Sequence, residues 1–362
     1  MILRPKKSLK SELIIRPFAG LQEDRDLSKL WLDKNENLDP EMRKVSAKIL
    51  LEFQGSESSN YPSLGALYKK MATWLRVSPS QIMLTQGSDG AIRSVFDVFI
   101  EPGDVVFHTR PTFAMYPIYC QIYGAKNYPI DYMPTLNGPS LTINNLLKRI
   151  ESAKPKLVCI PNPDSPTGHY FSENEIKTIL EKCITTNSLL LVDEAYFPFS
   201  KWSAVSLVNQ SPNLIVVRTF AKAWASAGLR VGYCVTNAEI CSYLHKNRPM
   251  YEIGEIAAHH TFRLLDFEKE MLVSVGRINE GGDFFSAEMG KLGFHVLRSQ
   301  TNFIHINFES LKELMFKRLD LKVLYRKSFD HDSLKGFTRF TLAPVPIMRN
   351  VVDTIKDAYA RK

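Results

Sequence analysis

Short apolar runs alternate with amphipathic segments between about residues 80 and 240 of this chain. Between the runs, apolar residues recur at helical spacing, as in Ala91, Ile92, Val95 and Phe96. Strands that are apolar throughout are buried on both faces, so the pattern predicts an α/β fold with a mostly parallel sheet covered by helices on both faces. The predicted strands are residues 82–84, 105–107, 157–160, 189–192 and 214–217.

Local signals mark the ends of the predicted helices. Gly87-Ser88-Asp89 begins one helix, and Glu101-Pro102-Gly103-Asp104 ends it. Ser172 and Glu175 have the spacing of a capping box ahead of another helix.

The pattern changes after about residue 265, where a long helix from Phe267 to about Leu292 precedes three short strands, residues 294–297, 303–306 and 340–342. This order is typical of a smaller α+β domain. We therefore expect three parts: an amino-terminal arm that contributes to the small domain (1–35), a large domain (36–265) and a small carboxyl-terminal domain (266–362).

Composition narrows the class of protein. With 362 residues, 44% hydrophobic and 23% charged, the chain has the balance of a soluble globular protein. No apolar run approaches the length of a transmembrane helix, and no apolar stretch follows the basic amino terminus, so we expect neither a membrane span nor a secretory signal. Five cysteines, mostly in apolar runs and without a CxxC pair, indicate reduced thiols in a cytoplasmic protein, and we predict no metal site.

The formal net charge of +8 allows two interpretations. It could attract phosphorylated or acidic small molecules, or it could reflect a generally basic surface without a specific partner. Basic residues alternate with acidic ones and form no dense block, which favours the second interpretation and gives no support to nucleic-acid binding.

Polar residues gather just beyond the predicted strand ends, where α/β sheets place their chemistry: Asp89, Asn162, Asp193 and Lys222. Burial would lower the pKa of Lys222 and free its amine to attack a carbonyl, although a solvated loop lysine explains the residue equally well when it is taken alone. Asp193 could keep a heteroaromatic nitrogen protonated, or could be a turn aspartate. The helix start at Gly87 offers free amides to an anion, and Arg230 could reach the same anion.

Taken together, these motifs resemble the fold-type I pyridoxal-phosphate enzymes, and among them the histidinol-phosphate aminotransferase-like branch of the class I/II aminotransferases. The resemblance runs from Leu32 nearly to the carboxyl end. The segments that carry it are Leu32-Asp33-Lys34-Asn35-Glu36-Asn37, Asn60-Tyr61-Pro62, Gly87-Ser88-Asp89, Arg110 through Tyr116, Pro166-Thr167-Gly168, Asp193-Glu194-Ala195-Tyr196, Lys222 through Tyr233, Thr301-Asn302-Phe303, Arg326 and Arg339.

The resemblance implies that pyridoxal 5'-phosphate is bound in the large domain. Lys222 would bond to the cofactor and carry the proton, Asp193 would pair with the ring nitrogen, and Tyr196 would bind the ring hydroxyl. The remaining implied cofactor ligands are Phe113 on the ring face, Ser165 near the ring hydroxyl, and Ser88, Asp89, Thr219, Arg230 and Tyr61 at the phosphate. Packing alone would also explain the aromatic residues Phe113 and Tyr61.

The resemblance also implies the substrate ligands and the assembly. Arg339, with Arg326 beside it and Asn35 nearby, would bind the carboxylate or phosphate of the substrate, because guanidinium suits either anion. Tyr61 would come from the neighbouring subunit, so a homodimer is expected. The partners would otherwise be a small amino donor and an oxo acceptor.

Two positions depart from the family pattern. Ser165 stands where the family usually has asparagine, and Ala221 stands where a phosphate-binding serine is common. A lost hydrogen bond to a charged group is worth about 1.5–3 kcal/mol, too little to abolish cofactor binding if Thr219 and Arg230 remain. Arg248 and Glu252, in a segment where the family has small polar residues, could contact the substrate or form a surface ion pair.

The sequence thus predicts an aminotransferase that acts on an amino acid and a small phosphorylated or carboxylated oxo compound. Two alternatives stay open. One is a decarboxylase of a phosphorylated hydroxy-amino acid, because sequence does not determine which substrate bond lies perpendicular to the ring. The other is a non-catalytic regulatory protein, which the presence of Lys222 and Asp193 disfavours.

Overall fold

The structure is a computed structural model, and it describes residues 24–361. The basic amino terminus and most of the predicted arm therefore lie outside the described residues. The strands of the described part are β1 (Leu30–Trp31), β2 (Ile82–Thr85), β3 (Val105–Arg110), β4 (Lys126–Asp131), β5 (Leu157–Pro161), β6 (Leu189–Asp193), β7 (Leu214–Thr219), β8 (Gly232–Thr236), β9 (His295–Arg298), β10 (Phe303–Asn307), β11 (Val323–Leu324) and β12 (Phe337–Thr341).

Helices follow most of these strands along the chain. The capping box predicted at Ser172 is present, since its hydroxyl accepts from the Glu175 amide and the Glu175 carboxylate accepts from the Ser172 amide. The helices are α1 (Pro40–Glu52), α2 (Gly65–Leu75), α3 (Gly87–Phe99), α4 (Met115–Tyr123), α5 (Ile143–Ala153), α6 (Glu173–Thr185), α7 (Ala238–Asn247), α8 (Glu255–Leu264), α9 (Glu268–Lys291), α10 (Lys312–Leu319) and α11 (Val345–Tyr359).

The large sheet has seven strands in the order β2-β8-β7-β6-β5-β3-β4. β8 runs antiparallel to its neighbours β2 and β7, and the other neighbouring pairs are parallel. The carboxyl ends of β5, β6 and β7 therefore meet at one edge. This sheet confirms the predicted α/β class with its mostly parallel strands.

Both faces of the large sheet are covered, as the apolar strands predicted. In β5, Val158 and Ile160 pack into one apolar core, whereas Leu157 and Cys159 pack into the other. The second core includes Val95 of α3 and contacts from α4 and α7. Residues that alternate along one strand thus serve two cores, which explains why the predicted apolar runs within these strands contain no polar residue.

A three-stranded antiparallel sheet, β12-β10-β9, lies in the carboxyl-terminal part and packs with α9. The chain before α1 joins it: β1 pairs with β11, and the Thr341 amide donates to the Leu32 carbonyl at 2.8 Å. Residues 33–37 then run towards the edge of the large sheet. We call residues 33–37 the strap.

Two strands of the large sheet, β4 and β8, were missing from the sequence prediction, as were the two-residue strands β1 and β11. β4 lies at the sheet edge and buries only Ile130 among its six residues, so it has no apolar run to reveal it. β8 is buried throughout but begins at Gly232, a residue that disfavours strands. Within residues 24–361, no helix combines the length and apolarity needed to cross a bilayer.

Candidate active site

A cleft of about 190 Å³ opens where β5, β6 and β7 end and α3 begins. The parallel direction of these strands explains the convergence, because each turn that follows a strand emerges at the same edge. Nine of the ten residues predicted to bind the cofactor line this cleft, and Tyr61 does not. The nine are Ser88, Asp89, Phe113, Ser165, Asp193, Tyr196, Thr219, Lys222 and Arg230.

Asp193 is the last residue of β6 and is buried. The Tyr116 hydroxyl donates to its Oδ2 atom at 3.1 Å, and the Ala195 amide donates to Oδ1 at 3.0 Å. Burial raises the pKa of Asp193 to about 6, and these two hydrogen bonds oppose the rise. A carboxylate held in this way suits a protonated ring nitrogen, whose positive charge would offset the cost of desolvation.

Sequence reasoning missed Tyr116 as part of the site. It is fully buried in α4 and meets the ring of Phe113 edge-on, with ring centroids 6.1 Å apart. One segment therefore supplies both the aromatic face of the cleft and the hydrogen bond to Asp193. The signal was the three-residue spacing between the two aromatic residues at a helix start.

Lys222 follows β7 by three residues, and its Nζ atom donates to the Lys34 carbonyl of the strap at 2.7 Å. The side chain remains partly accessible from the cleft, yet its surroundings desolvate the amine. Desolvation lowers the pKa of Lys222, and the nearby Arg339 guanidinium lowers it further, while Tyr196 acts in the opposite direction. A lowered pKa leaves more of the amine unprotonated and able to attack a carbonyl.

Tyr196 connects the lysine to the strap. Its hydroxyl accepts a hydrogen bond from the Asn35 Nδ2 atom at 2.8 Å, and the Lys222 Nζ atom lies 5.8 Å from its ring centroid. Asn35 has a φ of +56° and is held by the Thr341 hydroxyl, which accepts from its amide at 2.9 Å. The small sheet therefore helps to position a tyrosine of the large sheet.

The start of α3 and Arg230 form a place for an anion. Gly87 has a φ of +76°, and a Cβ atom there would lie 2.6 Å from an Nη atom of Arg230. Gly232 permits β8 to touch the same helix start, because a Cβ atom on it would lie 2.4 Å from the Ser88 nitrogen. Free amides at the helix start and a guanidinium are thus brought together, which suits a phosphate.

Thr219 and Asp89 complete this end of the cleft. The Thr219 hydroxyl donates to the Val231 carbonyl at 3.3 Å and accepts from the Ala221 amide at 3.1 Å. Because the first contact is long, the hydroxyl can turn to an anion at small cost. Asp89 contributes its backbone here, since its carboxylate accepts from the Tyr119 hydroxyl at 2.8 Å.

Arg339 lies on β12, beside the strap. Its Nη2 atom donates to the Asp33 carbonyl at 2.8 Å, while its buried Nε atom has no hydrogen-bond partner among the described residues. Burial lowers the pKa of Arg339, and the charge of Arg326 lowers it further. Arg326 pairs with Arg339 through backbone hydrogen bonds, but its side chain is exposed and lies over Phe329. This arrangement offers a buried cation to an anionic ligand.

The predicted substrate ligands Asn35, Arg326 and Arg339 do not line the cleft, and neither do Tyr61, Arg248 and Glu252. Tyr61 is 79% exposed and stacks on Tyr251, with ring centroids 4.6 Å apart. Arg248 and Glu252 form an ion pair of 3.3 Å, and the Glu252 carboxylate also accepts from the Tyr68 hydroxyl at 2.8 Å. Glu252 is buried, so this pair is more than a surface contact, and neither member lines the cleft.

Residues 28–355 match the family model described as aminotransferase class I and II. The chain belongs to this family. It is 32% identical over 331 residues to a histidinol-phosphate aminotransferase of Thermoanaerobacter sp. (strain X514), with 90% of this chain and 92% of the relative covered. These findings confirm the predicted family, the enzyme class and the cofactor: the protein is a pyridoxal-phosphate-dependent aminotransferase.

Solved structures of the same fold agree with this assignment. A histidinol-phosphate aminotransferase from Sinorhizobium meliloti in complex with pyridoxal-5'-phosphate superposes with a TM-score of 0.80 at 20% identity, covering 92% of this chain and 91% of that one. A decarboxylase from Sulfurospirillum multivorans also has a TM-score of 0.80 at 20% identity, with coverages of 92% and 89%. At such identities the likeness shows the fold alone, so it does not separate the two reactions.

Proposed function

We propose that this aminotransferase acts on histidinol phosphate, which it converts with a small oxo acid as amino acceptor. The observation that carries the proposal is Arg339, a buried guanidinium with an unpartnered Nε atom beside the catalytic cleft. An unpaired buried donor is costly, so the site favours a ligand that brings an anionic oxygen to it. The name of the 32% identical relative supports the phosphate ester of histidinol as that ligand.

The residues of the cleft fit pyridoxal phosphate. We propose that the amides of Ser88 and Asp89, the Thr219 hydroxyl and Arg230 hold its phosphate, with Tyr61 of a second copy. We assign the ring to Phe113 on one face, Asp193 at the nitrogen, and Tyr196 and Ser165 at the ring hydroxyl. The missing side chain at Gly87 leaves room for Arg230 to reach the anion, which is the geometric reason for the fit.

When bound, the cofactor supplies an electron sink for the carbanion formed at the substrate carbon. Side chains of the protein would position the cofactor and the substrate and would transfer the proton. Asp193 keeps the ring nitrogen protonated, and Tyr196, held by Asn35, fixes the position of the ring. The Lys222 amine, with its lowered pKa, would accept the proton from the substrate carbon as general base and hold it for return as general acid. Arg339, with Arg326 and Asn35, orients the substrate.

A panel of amino donors, read from the absorption spectrum of the bound cofactor, tests the substrate. Histidinol phosphate should convert the cofactor to its amine form at lower concentration than glutamate, an aromatic amino acid or serine phosphate. Release of carbon dioxide with the aldehyde form retained would instead establish the decarboxylase. A preference for another donor would contradict histidinol phosphate without affecting the family.

The role of Lys222 has a separate test. Lys222→Ala should lose the visible absorption of the lysine-bound cofactor and at least about a hundredfold in turnover, the lower end for a lost acid-base group. Lys44→Ala removes an exposed lysine from α1 and is the matched control. Full activity in the Lys222 variant would overturn the proposed site.

Arg339→Ala tests the substrate contact. Loss of a charge-assisted hydrogen bond worth about 1.5–3 kcal/mol should raise KM for histidinol phosphate by roughly ten- to a hundredfold. Arg339→Lys keeps the charge without the planar fork, so an intermediate value is expected. Cofactor affinity should change much less, and equal losses of both affinities would contradict the role.

The homodimer and the cytoplasmic location remain predictions. We propose both: the first because Tyr61 lies exposed and outside the cleft of its own chain, the second because the relatives carry the name of a biosynthetic enzyme. The domain boundaries at residues 35 and 265 are proposed in the same sense.

A further inference from the structure

A second carboxyl, that of Asp164, is fully buried near Asp193 in the layer behind the cleft. It belongs to the turn after β5 that carries Ser165 into the site. The backbone of Asp164 closes this turn on both sides, since its amide donates to the His169 carbonyl and its carbonyl accepts from the Gly168 amide, each at 2.8 Å. Whatever fixes Asp164 therefore also fixes Ser165.

The two oxygens of the Asp164 side chain have different surroundings. Oδ2 accepts from the Thr167 hydroxyl at 3.0 Å and from the Thr109 hydroxyl at 3.3 Å. Oδ1 is buried and has no hydrogen-bond partner among the described residues. The Tyr132 hydroxyl is likewise buried without a partner in that part of the chain, but it lies close enough to lower the pKa of this carboxyl. One oxygen is satisfied as an acceptor, while the other has no hydrogen-bond partner within residues 24–361.

An ionised carboxylate would be badly placed here. Its negative charge would be fully buried close to a second carboxyl, that of Asp193, with hydroxyls rather than a cation to stabilise it. The groups that face it are hydroxyls from three elements (Thr109 of β3, Tyr132 after β4, Thr167 of its own turn) and the carboxyl of Asp193 from β6. Burial is the main cause that raises the pKa of Asp164 to about 7, and Asp193 adds to the rise, whereas the hydroxyls oppose it.

We propose that Asp164 is held as a neutral acid and acts as a positioning residue for the turn that carries Ser165. In this form its Oδ1–H group can donate to the Tyr132 oxygen, and its Oδ2 atom still accepts from Thr167. Asp193 then remains the single negative charge of this pair and would be available to the ring nitrogen of the cofactor. That consequence rests on the proposed contact between Asp193 and the ring nitrogen; the protonation of Asp164 does not.

Infrared difference spectroscopy of the loaded enzyme at pH 6 tests the protonation directly. The carbonyl stretching band of a protonated carboxylic acid should be present in the wild type and reduced in Asp164→Asn, an isosteric neutral variant. Asp353→Asn makes the same change at an exposed position of α11 and should keep the band. Identical spectra of the wild type and Asp164→Asn in this region would overturn the proposal.

Thermal unfolding as a function of pH provides the second measurement. A carboxyl with a pKa raised in the folded state stabilises the protein below its unfolded pKa, and this contribution is lost as pH rises through about 7. The Tm of the wild type should therefore fall relative to that of Asp164→Asn between pH 5 and pH 8. A constant difference between the two curves would show that the proton is not held.

A third variant keeps the proposal testable if Asp164→Asn does not fold. Thr167→Val removes a donor that stabilises the ionised form, so the band should persist to higher pH than in the wild type. An unchanged midpoint would count against the neutral acid. Each of these results is independent of which amino donor the enzyme prefers.

Discussion

Lys222 and Arg339 donate to successive backbone carbonyls of the strap, those of Lys34 and Asp33. Two neighbouring cations repel each other, and Arg339 accordingly lowers the pKa of Lys222. The strap carbonyls offset this repulsion with partial negative charge, and the carboxylates of Glu36 and Asp33 on the same strap act in the same direction on Lys222 and Arg339. The substrate anion would then complete the neutralisation of Arg339.

The hydrogen bond from Tyr116 to Asp193 should affect how cofactor affinity depends on pH. If Asp193 pairs with the ring nitrogen as we propose, cofactor binding requires it to be ionised, so affinity should fall as pH decreases through about 6, the pKa of this carboxyl. Tyr116→Phe keeps the packing but loses a hydrogen bond that lowers this pKa. The midpoint should rise by about one unit, since the bond is worth about 1.5 kcal/mol and one unit is 1.36 kcal/mol.

Titration of cofactor affinity against pH, by fluorescence or absorbance, measures that midpoint. Tyr123→Phe removes a hydroxyl from the same helix that contacts Asp97 outside the cleft, and it should leave the midpoint unchanged. A Tyr116→Phe midpoint equal to that of the wild type would show that the hydroxyl does not support Asp193.

Chemical groups of the site were predictable from sequence, whereas their supports were not. Asp193 ends the apolar strand β6, and Lys222 and Arg230 follow the apolar strand β7, so the local sequence pattern indicates where they lie. The hydrogen bond from Asn35 to Tyr196 joins positions 161 residues apart, and the bond from Lys222 to Lys34 joins positions 188 apart. No local propensity encodes such pairs, because they exist only after two sheets have packed together.

Some strands were likewise predictable from their own sequence, whereas others were not. The apolar runs predicted the first residues of β3, β5, β6 and β7 and ended one to three residues before their last ones, because burial on both faces favours apolar residues. β4 could not be predicted from its own sequence, since it is an edge strand whose identity comes from pairing with β3. β12 begins at Phe337, earlier than predicted, because its pairing with β10 extends past the apolar residues.

β8 contacts the start of α3 closely at Gly232. Gly232→Ala would place a methyl group 2.3 Å from the Gly87 carbonyl carbon, so strand and helix must separate. Because the same helix start is proposed to hold the cofactor phosphate, affinity for the cofactor should fall by about tenfold or more, and stability should fall by about 1–3 kcal/mol, as in other overpacked sites.

The matched control is Gly276→Ala in α9, where a Cβ atom meets nothing within 4 Å. Alanine is the better helix former, so this variant should gain about 0.5–1 kcal/mol and bind the cofactor normally. Urea unfolding and cofactor titration measure both quantities. If Gly232→Ala lost stability but kept full cofactor affinity, the helix start would not be the phosphate site.

On the scale of the whole molecule, the active site draws on two sheets and, as we propose, on two chains. The strap and Arg339 lie with the small sheet, while Lys222, Asp193 and Tyr196 lie at the edge of the large one. A relative movement of the two parts would therefore alter substrate contacts more than cofactor contacts. This separation gives physical meaning to the proposed boundary near residue 265.

Subunit mixing tests whether Tyr61 completes the site of a second copy. Lys222→Ala should be inactive, and Tyr61→Ala should be weakened at limiting cofactor, because the phosphate would lose a donor. In a mixed dimer, the subunit that carries Tyr61→Ala retains Lys222 and receives the intact tyrosine from its partner. Random assembly makes about half of the dimers mixed, each with one complete site, so about a quarter of all sites should recover wild-type behaviour.

Two differently tagged variants, expressed together and purified through both tags, isolate the mixed dimer. Its activity at limiting cofactor should then reach about half that of the wild type, because one of its two sites is complete. If Tyr61 instead served its own chain, the subunit with Lys222 would still lack its tyrosine, and the mixed dimer would show no more than half the activity of Tyr61→Ala. If Tyr61→Ala retains less than half of wild-type activity, a shared site makes the mixed dimer more active than Tyr61→Ala, whereas a site within one chain makes it less active. A monomer in solution would exclude the shared site altogether.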